Sequence, residues 1–204
     1  LPEAPVPTRV PGDRLETFAA EGITCRHPGS DHGIADVDLW LERGTLTVVT
    51  GRVGAGKSTL LRAVLGLLPV ESGTIRWNGE IVDDPSAFLV PPRAAYTAQV
   101  PRLFSESLRE NILLGLPEDG TTLAAAVHAA VLERDVAMLE LGLETLVGTR
   151  GVRLSGGQIQ RAAAARMLVR DPELLVIDDL SSALDVETER LLWQRLLAEQ
   201  DRTI

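Results

Sequence analysis

Residues Gly51–Ser58 read GRVGAGKS and carry the strongest local signal in the chain. This stretch matches the phosphate-binding loop pattern G-x-x-x-x-G-K-[ST], which needs a strand before it and a helix after it. The β-branched segment 45–50 (TLTVVT) predicts a buried parallel strand directly before the loop. Leucines and a valine at helical spacing over 60–68 predict the helix that follows, and Pro69 ends it. The sequence therefore predicts a strand–loop–helix unit that binds nucleotide phosphates.

The residues of this loop have separate predicted roles. Its glycines let successive backbone N–H groups turn inward toward phosphate oxygens, and the helix N-terminus adds a partial positive charge. We expect Lys57 to reach the β- and γ-phosphates and the Ser58 hydroxyl to ligate Mg²⁺. The residues predicted to bind the nucleotide are Gly51, Arg52, Val53, Gly54, Ala55, Gly56, Lys57, Ser58 and Thr59.

Two further motifs lie in the second half of the chain. The apolar run 174–177 predicts a buried strand, and we expect Asp178 at its end to hold Mg²⁺ through water, opposite Ser58. The pentapeptide 154–158 (LSGGQ) predicts a second anion-binding helix N-terminus, without a lysine, before a helix that starts near Gln158. Because one nucleotide does not need two phosphate cradles, we expect this segment to contact a nucleotide held by another copy.

The composition excludes several classes of protein. Hydrophobic residues make up 45% and charged residues 24% of the 204 residues, which is typical of a folded globular chain and excludes a disordered tail. The net charge of −9 leaves no broad basic surface, so we expect no nucleic-acid partner. The single cysteine, Cys25, excludes an internal disulfide, and no apolar run approaches the roughly 20 residues that span a bilayer.

The order of the predicted elements indicates an α/β fold. The dipeptide Asn78-Gly79 predicts a hairpin between two short strands, and the apolar spacing over 186–200 predicts a last amphipathic helix. A further strand is predicted at 36–41. We expect an α/β core made of 15–100 and 166–204, a helical region at about 101–165 that interrupts it, and a proline-rich linker over 1–14.

With these motifs, nearly the whole chain resembles the nucleotide-binding domain of ABC transporters. The resemblance implies a P-loop NTPase (RecA-like) core with a small antiparallel β region and an α-helical subdomain that carries LSGGQ. It also implies that 15–204 is the ATPase domain and that 1–14 links it to a preceding membrane domain. The run 104–115 (FSESLRENILLG) is similar to the exporter branch of the family.

The resemblance implies a role for each motif residue. Gln99 looks like the glutamine that contacts the metal and the attacking water, although a solvated loop amide is the alternative, and 182–185 (SALD) looks like the loop that crosses the dimer interface. The implied catalytic residues are Asp179, Gln99 and Lys57. The implied metal ligands are Ser58, Gln99 and Asp178. The implied contacts to ATP held by the partner domain are Ser155, Gly156, Gly157, Gln158 and Asp185.

Three positions depart from the family pattern. His27 stands where an aromatic residue usually stacks on adenine; it either stacks there or is an exposed loop histidine. Asp179 stands where a glutamate polarises the attacking water, and its carboxylate reaches about 1.5 Å less far. We therefore expect slow hydrolysis, unless a backbone adjustment restores the contact. The segment 201–204 resembles the turn and first strand residue before the family's switch histidine, so we expect that catalytic group to be missing from these residues.

The predicted function is that of an ATP-binding and hydrolysing motor domain of an ABC exporter. Its expected ligands are ATP and Mg²⁺, and its expected partners are a second nucleotide-binding domain and a transmembrane permease domain, at the cytoplasmic face of the cell membrane. The alternative is a degenerate half of a heterodimeric transporter that binds ATP with little hydrolysis of its own, for which His27 and Asp179 argue. A soluble ABC ATPase acting on ribosomes or DNA is disfavoured by the acidic charge and by the absence of tandem domains.

Overall fold

The computed structural model describes residues 14–26, 29, 32–118, 120–149, 151–198 and 202–204. The predicted linker 1–14 therefore lies, apart from Arg14, outside the described residues. The strands are β1 (Thr17–Arg26), β2 (Gly33–Glu42), β3 (Ser72–Trp77), β4 (Glu80–Ile81), β5 (Ala94–Thr97) and β6 (Leu174–Ile177). The helices are α1 (Lys57–Val64), α2 (Pro85–Phe88), α3 (Leu108–Leu113), α4 (Gly120–Ala129), α5 (Glu133–Met138), α6 (Gly156–Leu168) and α7 (Val186–Leu196).

The described residues form two compact units. The first unit contains the described residues of 14–95 together with 173–176 and 202–204. The second unit contains the described residues of 96–172 and 177–198. The mixture of helices and strands agrees with the predicted α/β class. The narrower division, with a helical region bounded at 101 and 165, stays a prediction.

An antiparallel sheet in the order β2-β1-β3-β4 dominates the first unit. Phe18 on β1 lies opposite Leu41 on β2 and opposite Trp77 on β3, and all three side chains are buried. The pairing of β1 with β2 shifts register between Ala20 and Ile23, and Gly22 lies between them with φ +64°. A bulge of this kind needs one left-handed residue, which glycine adopts without a steric penalty.

The predicted hairpin is confirmed. Its turn residues Asn78 and Gly79 have φ values of 54° and 84°, as a two-residue hairpin turn of the primed type requires. The Asn78 side chain also fixes the entry into β1, because its carbonyl oxygen accepts from the N–H groups of Glu16 at 2.7 Å and Thr17 at 3.1 Å. The turn and the first strand are thus joined by side-chain bonds as well as by the ladder.

Helix α1 packs against β1, with Leu60 and Val64 buried. The helix ends at Val64 rather than near Pro69, because Gly66 has a left-handed backbone with φ +70°. A Cβ at Gly66 would lie 2.4 Å from the Ser86 nitrogen, so only glycine fits this close approach.

Strands β5 and β6 pair with each other in parallel. The Leu174 N–H donates to Arg93 and the Asp178 N–H to Thr97, both at 2.9 Å, so the bonds advance in the same direction along both strands. Thr203 forms a parallel bridge with Leu174. The predicted strand at 174–177 is confirmed at the predicted bounds.

The prediction of a buried strand at 45–50 is wrong. This segment carries no strand assignment, and its Leu46 and Val48 side chains are exposed. Its described ladder contacts are two bonds with Ile204, from the Thr47 N–H to Ile204 at 2.8 Å and from the Ile204 N–H to Thr45 at 3.0 Å. A β-branched run becomes a buried strand only where neighbouring strands pair with it, and two bonds to one residue do not supply that.

The second unit is helical and centres on α6. Helices α3 and α4 pack on α6, and α7 packs on α4. Four consecutive alanines, 162–165, are buried in α6, so small side chains let neighbouring elements approach this helix from several directions. Leu192 and Leu196 of α7 are completely buried, which confirms the predicted amphipathic last helix, although it ends at Leu196.

Candidate functional site

The glycine loop of the first unit has the backbone that phosphate binding needs. Gly54 and Gly56 have φ values of 81° and 91°, and Gly56 is the N-cap of α1. A Cβ at Gly56 would lie 2.7 Å from the Ile34 Cγ2 atom, so the loop backbone can lie this close to β2 only because residue 56 is glycine. The loop before it is exposed, and the Val53 side chain is fully open to solvent.

Lys57 lies at the first position of α1 and folds back over the loop. Its ammonium Nζ donates to the carbonyl oxygens of Gly51 and Arg52, both at 3.0 Å. An ammonium group carries three donors, so it can hold the loop closed and still donate to a phosphate oxygen. Ser58 follows as a half-buried hydroxyl, and the Thr59 side chain is buried.

In the second unit, Asp178 lies directly after β6 and is buried, with 7% of its surface exposed. Its Oδ2 atom accepts from the Tyr96 hydroxyl at 3.1 Å. Its backbone N–H is fixed by the carbonyl of Thr97. A buried carboxylate held from two sides has a defined direction, as a metal-binding or water-binding group requires.

The neighbouring Asp179 is exposed and differs in backbone from ordinary strand residues. Its φ is +56°, a left-handed conformation that aspartate tolerates better than most residues. Its Oδ2 atom accepts from the Gln99 Nε2 group at 3.1 Å. The structure thus brings together two residues that the sequence analysis assigned to the same chemistry, the water-activating carboxylate and the loop glutamine.

The LSGGQ segment forms the capped N-terminus of α6. The Ser155 Oγ atom accepts from the Gln158 N–H at 3.2 Å, and the Gln158 Oε1 atom accepts from the Ser155 N–H at 2.8 Å. This reciprocal capping box starts the helix at Gly156, two residues before the predicted position. Ser155 and Gly156 are exposed.

A buried carboxylate that the sequence analysis missed supports this helix. Asp135 on α5 accepts from the Gln158 Nε2 group at 3.0 Å through one oxygen and from the Arg161 Nη2 group at 2.7 Å through the other. Both members of the ion pair are nearly buried, with 11% and 12% of their side chains exposed. Both ends of the Gln158 side-chain amide therefore have a partner inside this unit. No local sequence signal marks Asp135, because its partners follow more than twenty residues later.

Asp185 is the N-cap of α7. Its carboxylate accepts from the Thr188 N–H at 2.9 Å and from the Thr188 hydroxyl at 2.7 Å. These two bonds hold the pKa of Asp185 below its usual value, and the bond from the Thr188 N–H is the larger cause. His27 lies outside the described residues, so its predicted role is not described by the structure.

Comparison with known proteins decides the family. A sequence profile described as ABC transporter matches residues 34–182. That match includes the glycine loop, the LSGGQ segment and both aspartates at the end of β6. The chain belongs to the ABC transporter family. The predicted recognition is confirmed, and membership implies an ATP-binding domain with the P-loop NTPase fold.

The proteins similar to this ABC transporter chain are named as a multidrug resistance transporter, a lipid flippase and an exporter. The chain is 35% identical over 190 residues to a probable multidrug resistance ABC transporter ATP-binding/permease protein of Bacillus subtilis, covering 92% of this chain and 32% of the relative. It is 36% identical over 199 residues to an ATP-dependent lipid A-core flippase of Xanthomonas campestris, covering 96% and 34%. A solved structure described as a bacterial Atm1-family ABC exporter with ATP bound is similar with a TM-score of 0.83 at 27% identity, covering 99% of this chain and 35% of that one.

The chain thus spans about a third of the length of these ABC transporters. In the part of the chain that the structure describes, no helix has the length and apolar character needed to cross a membrane.

The oxygen donors of this ABC domain fit a magnesium ion whose coordination ATP phosphates complete. Among the described residues, no group of three or more His, Cys, Asp or Glu side chains could hold a metal ion alone. Mg²⁺ is usually held by one or two carboxylates, substrate phosphates and waters. In the second unit the buried Asp178 carboxylate is a hard oxygen donor of this kind, and in the first unit the Ser58 hydroxyl is another, so each group by itself is a donor type that Mg²⁺ accepts.

Removing Asp135 should destabilise the second unit strongly. The substitution Asp135→Ala leaves the Arg161 guanidinium nearly buried without its carboxylate, which typically costs about 3–5 kcal/mol. Urea unfolding followed by tryptophan fluorescence would measure the loss.

Glu133→Ala is the matched control on the same helix, since Glu133 pairs with Arg195 in a more exposed ion pair. Exposed pairs contribute about 0–1 kcal/mol. Equal losses of unfolding free energy in the two variants would show that the Asp135–Arg161 ion pair stabilises the protein no more than the exposed pair does.

Proposed function

We propose that this chain is the ATP-hydrolysing motor domain of an ABC exporter, and that it works as a pair with a second nucleotide-binding domain. The observation that carries the proposal is the capped N-terminus of α6 at Ser155. The Ser155 oxygen accepts from the Gln158 N–H, so the hydroxyl hydrogen remains to donate to an outside acceptor. Exposed at a helix N-terminus, this hydroxyl and the Gly156 N–H form a site for a phosphate.

The glycine loop of the first unit is a phosphate site in its own right, because it has the glycine backbone and Lys57. The site at Ser155 has no lysine, so we expect it to contact the phosphates of a nucleotide that another glycine loop already binds. We infer that it contacts ATP on the glycine loop of the partner domain, through Ser155, Gly156 and Gly157. The side chains of Gln158 and Asp185 already make capping bonds, and the second hydrogen of the Gln158 Nε2 group remains to donate to that ATP.

The proposed division of roles at each ATP follows from the donor groups. Lys57 and the loop N–H groups neutralise and orient the phosphates. Ser58, Asp178 and Gln99 are the residues that would hold Mg²⁺, which when bound would neutralise charge that develops on the phosphates. Asp179 accepts a proton from the attacking water, and Gln99, which contacts the Asp179 carboxylate, orients that water. His27 is proposed to stack on the adenine.

The names of the relatives support a proposal for the partners and the location. One relative is named as an ATP-binding/permease protein and another as a flippase, and both are about three times as long as the matched region. We propose that membrane-spanning helices belong to the same protein or to its partner, and that this domain works at the cytoplasmic face of the membrane. The relatives' names support an active motor rather than a degenerate half without turnover. The net charge of −9 argues against a nucleic-acid partner.

The proposal is tested by separating ATP binding from ATP turnover with Ser155→Ala. In the complete natural protein, we expect the dissociation constant for Mg-ATP at the glycine loop to change by less than about threefold. Turnover should fall about 10- to 100-fold, because one charge-assisted hydrogen bond of about 1.5–3 kcal/mol is lost in the closed pair. Equilibrium binding of labelled ATP and steady-state phosphate release measure the two quantities.

Ser107→Ala is the matched control, because Ser107 caps α3 with the same kind of capping box. Each variant loses a cap contributing about 1 kcal/mol. We expect Ser107→Ala to retain turnover within about twofold. If Ser155→Ala weakens ATP binding as much as it lowers turnover, or if Ser107→Ala lowers turnover equally, the contact to the partner's ATP is wrong.

A further inference from the structure

Gln160 is a buried polar residue in the helix that begins at LSGGQ. It lies on α6 about one turn after the helix start, and only 4% of its surface is exposed. Its neighbours in the same helix, the alanines at 162–165, are buried and apolar. A buried amide surrounded by apolar groups is destabilising unless both its ends find hydrogen-bond partners.

Both ends of the Gln160 amide bind the loop that follows β6. The Nε2 group donates to the Ser182 Oγ atom at 2.9 Å and, more weakly, to the Asp179 carbonyl at 3.5 Å. The Oε1 atom accepts from the Ala183 N–H at 3.2 Å. The side chain therefore spans the loop from residue 179 to residue 183.

The start of α6 packs on the same loop. A Cβ at Gly157 would lie 2.8 Å from the Ala183 carbonyl oxygen, and a Cβ at Gly156 would lie 3.3 Å from the Ala183 side chain. The close contact of the helix start and the hydrogen bond of the Gln160 amide both involve Ala183. A shift of the helix start must therefore move the loop with it.

This loop begins at the carboxylate assigned to water activation. Asp179 has a left-handed backbone, and its carbonyl is within reach of two donors, Gln160 and Ser182. Because these bonds fix the Asp179 peptide, the Asp179 side chain has few conformations available. It points to the Gln99 amide. A displacement of this carboxylate by 1 Å is enough to change a rate about 100-fold.

We propose that Gln160 is a positioning residue that couples the LSGGQ helix to the Asp179 carboxylate. The inference rests on the proposed function, in which Ser155 contacts the partner's ATP while Asp179 acts on the ATP of its own chain. Gln160 then transmits the docking of α6 on one ATP to the alignment of the carboxylate at the other. It touches neither ATP, and it acts through the peptide of Asp179 and the loop to Ala183.

The test uses Gln160→Met in the complete natural protein, since methionine has a similar length and no amide. We expect kcat for ATP to fall at least tenfold, with KM and the ATP dissociation constant changed less than threefold. Gln194→Met is the matched control, an exposed glutamine on α7 that undergoes the same substitution. It should leave kcat within twofold.

A double-mutant cycle separates positioning from mere stability. In an Asp179→Asn background, we expect Gln160→Met to change the remaining single-turnover rate less than twofold, because the carboxylate it positions is absent. Gln160→Glu supplies a second, isosteric variant that keeps the acceptor for Ala183 but lacks the donor for Ser182. Gln160→Glu should lower kcat, as Gln160→Met does.

The outcomes distinguish this inference from the proposed function. Wild-type protein without Lys57-dependent turnover overturns both. Wild-type turnover that the Gln160 variants leave unchanged overturns the positioning role alone. An equal fall in kcat with and without the Asp179 carboxylate also overturns it, because Gln160 would then act only on folding.

Discussion

Replacing Lys57 with alanine should weaken ATP binding by about 10²- to 10³-fold and reduce turnover to background. The reason is electrostatic: the bonds to Gly51 and Arg52 place the Lys57 ammonium over the glycine loop, and we propose that its remaining donor faces the phosphates of bound ATP. Losing one partner of a hydrogen-bonded charge pair that bound ATP would bury costs about 2–5 kcal/mol. Equilibrium binding of labelled ATP and phosphate release in the complete natural protein measure the two effects.

Arg62→Ala is the matched control, because it removes a positive charge from the last turn of the same helix. We expect it to change ATP affinity less than threefold. If both variants weaken ATP binding alike, the effect belongs to net charge and not to the loop ammonium.

An independent measurement uses the fact that Lys57 is the only lysine among the 204 residues. Acylation of its amine, followed by peptide mass spectrometry, should slow in the presence of Mg-ATP and not in the presence of adenosine. Protection by adenosine alone would contradict a direct contact between Lys57 and the phosphates.

The parts of the fold that the sequence predicted are those set by local backbone chemistry. The glycine loop and the Asn78-Gly79 hairpin depend on positive φ values that few other residues adopt, so the residue types alone disclose them. The start of α6 was also encoded locally, since Ser155 and Gln158 form a capping box with the S-x-x-Q spacing. The apolar run 174–177 became a strand because it is buried between paired neighbours.

The parts that sequence reasoning missed depend on neighbours distant along the chain. β1 mixes polar and apolar residues around the bulge at Gly22, so no clean alternation marks it. Segment 45–50 has the composition of a buried strand, but its two described ladder bonds both go to Ile204. Composition indicates what a segment can form, and its partners decide whether it does.

The same distinction between local and distant signals applies to the residues of the candidate site. The motif residues were identified from their spacing, whereas the residues that hold them were not. Gln160 reaches Ser182 across 22 positions, and Arg161 reaches Asp135 across 26. For Gln160 a signal existed, because a polar residue at buried helical spacing among alanines needs partners. Naming those partners required the tertiary structure.

Replacing Asp179 with glutamate should raise the rate of ATP hydrolysis, by as much as about 100-fold, and leave ATP affinity within threefold. The added methylene extends the carboxylate by about 1.5 Å toward the attacking water. A misplacement of about 1 Å in a reacting group can cost about 10²-fold, which sets the size of the expected gain. Affinity should hold because it depends on the glycine loop and Lys57. Single-turnover hydrolysis of ATP measures the chemical step directly.

Backbone strain is the one competing effect, and it has its own control. Asp179 has φ +56°, and a longer side chain tolerates that conformation less well than aspartate does. Asp171 also has a left-handed backbone, with φ +44°, so Asp171→Glu repeats the substitution away from the motifs. We expect it to leave the rate unchanged.

The direction of the change in rate decides how aspartate works at position 179. A faster Asp179→Glu enzyme means that the short carboxylate limits the chemical step, and that the Gln99 bond holds it short of the attacking water. If Asp179→Glu is slower and Asp179→Asn slower still, the left-handed backbone already brings aspartate into place and the expected gain is wrong. If Asp179→Asn hydrolyses ATP as fast as the wild type, this carboxylate takes no proton, and the role assigned to it fails with the prediction.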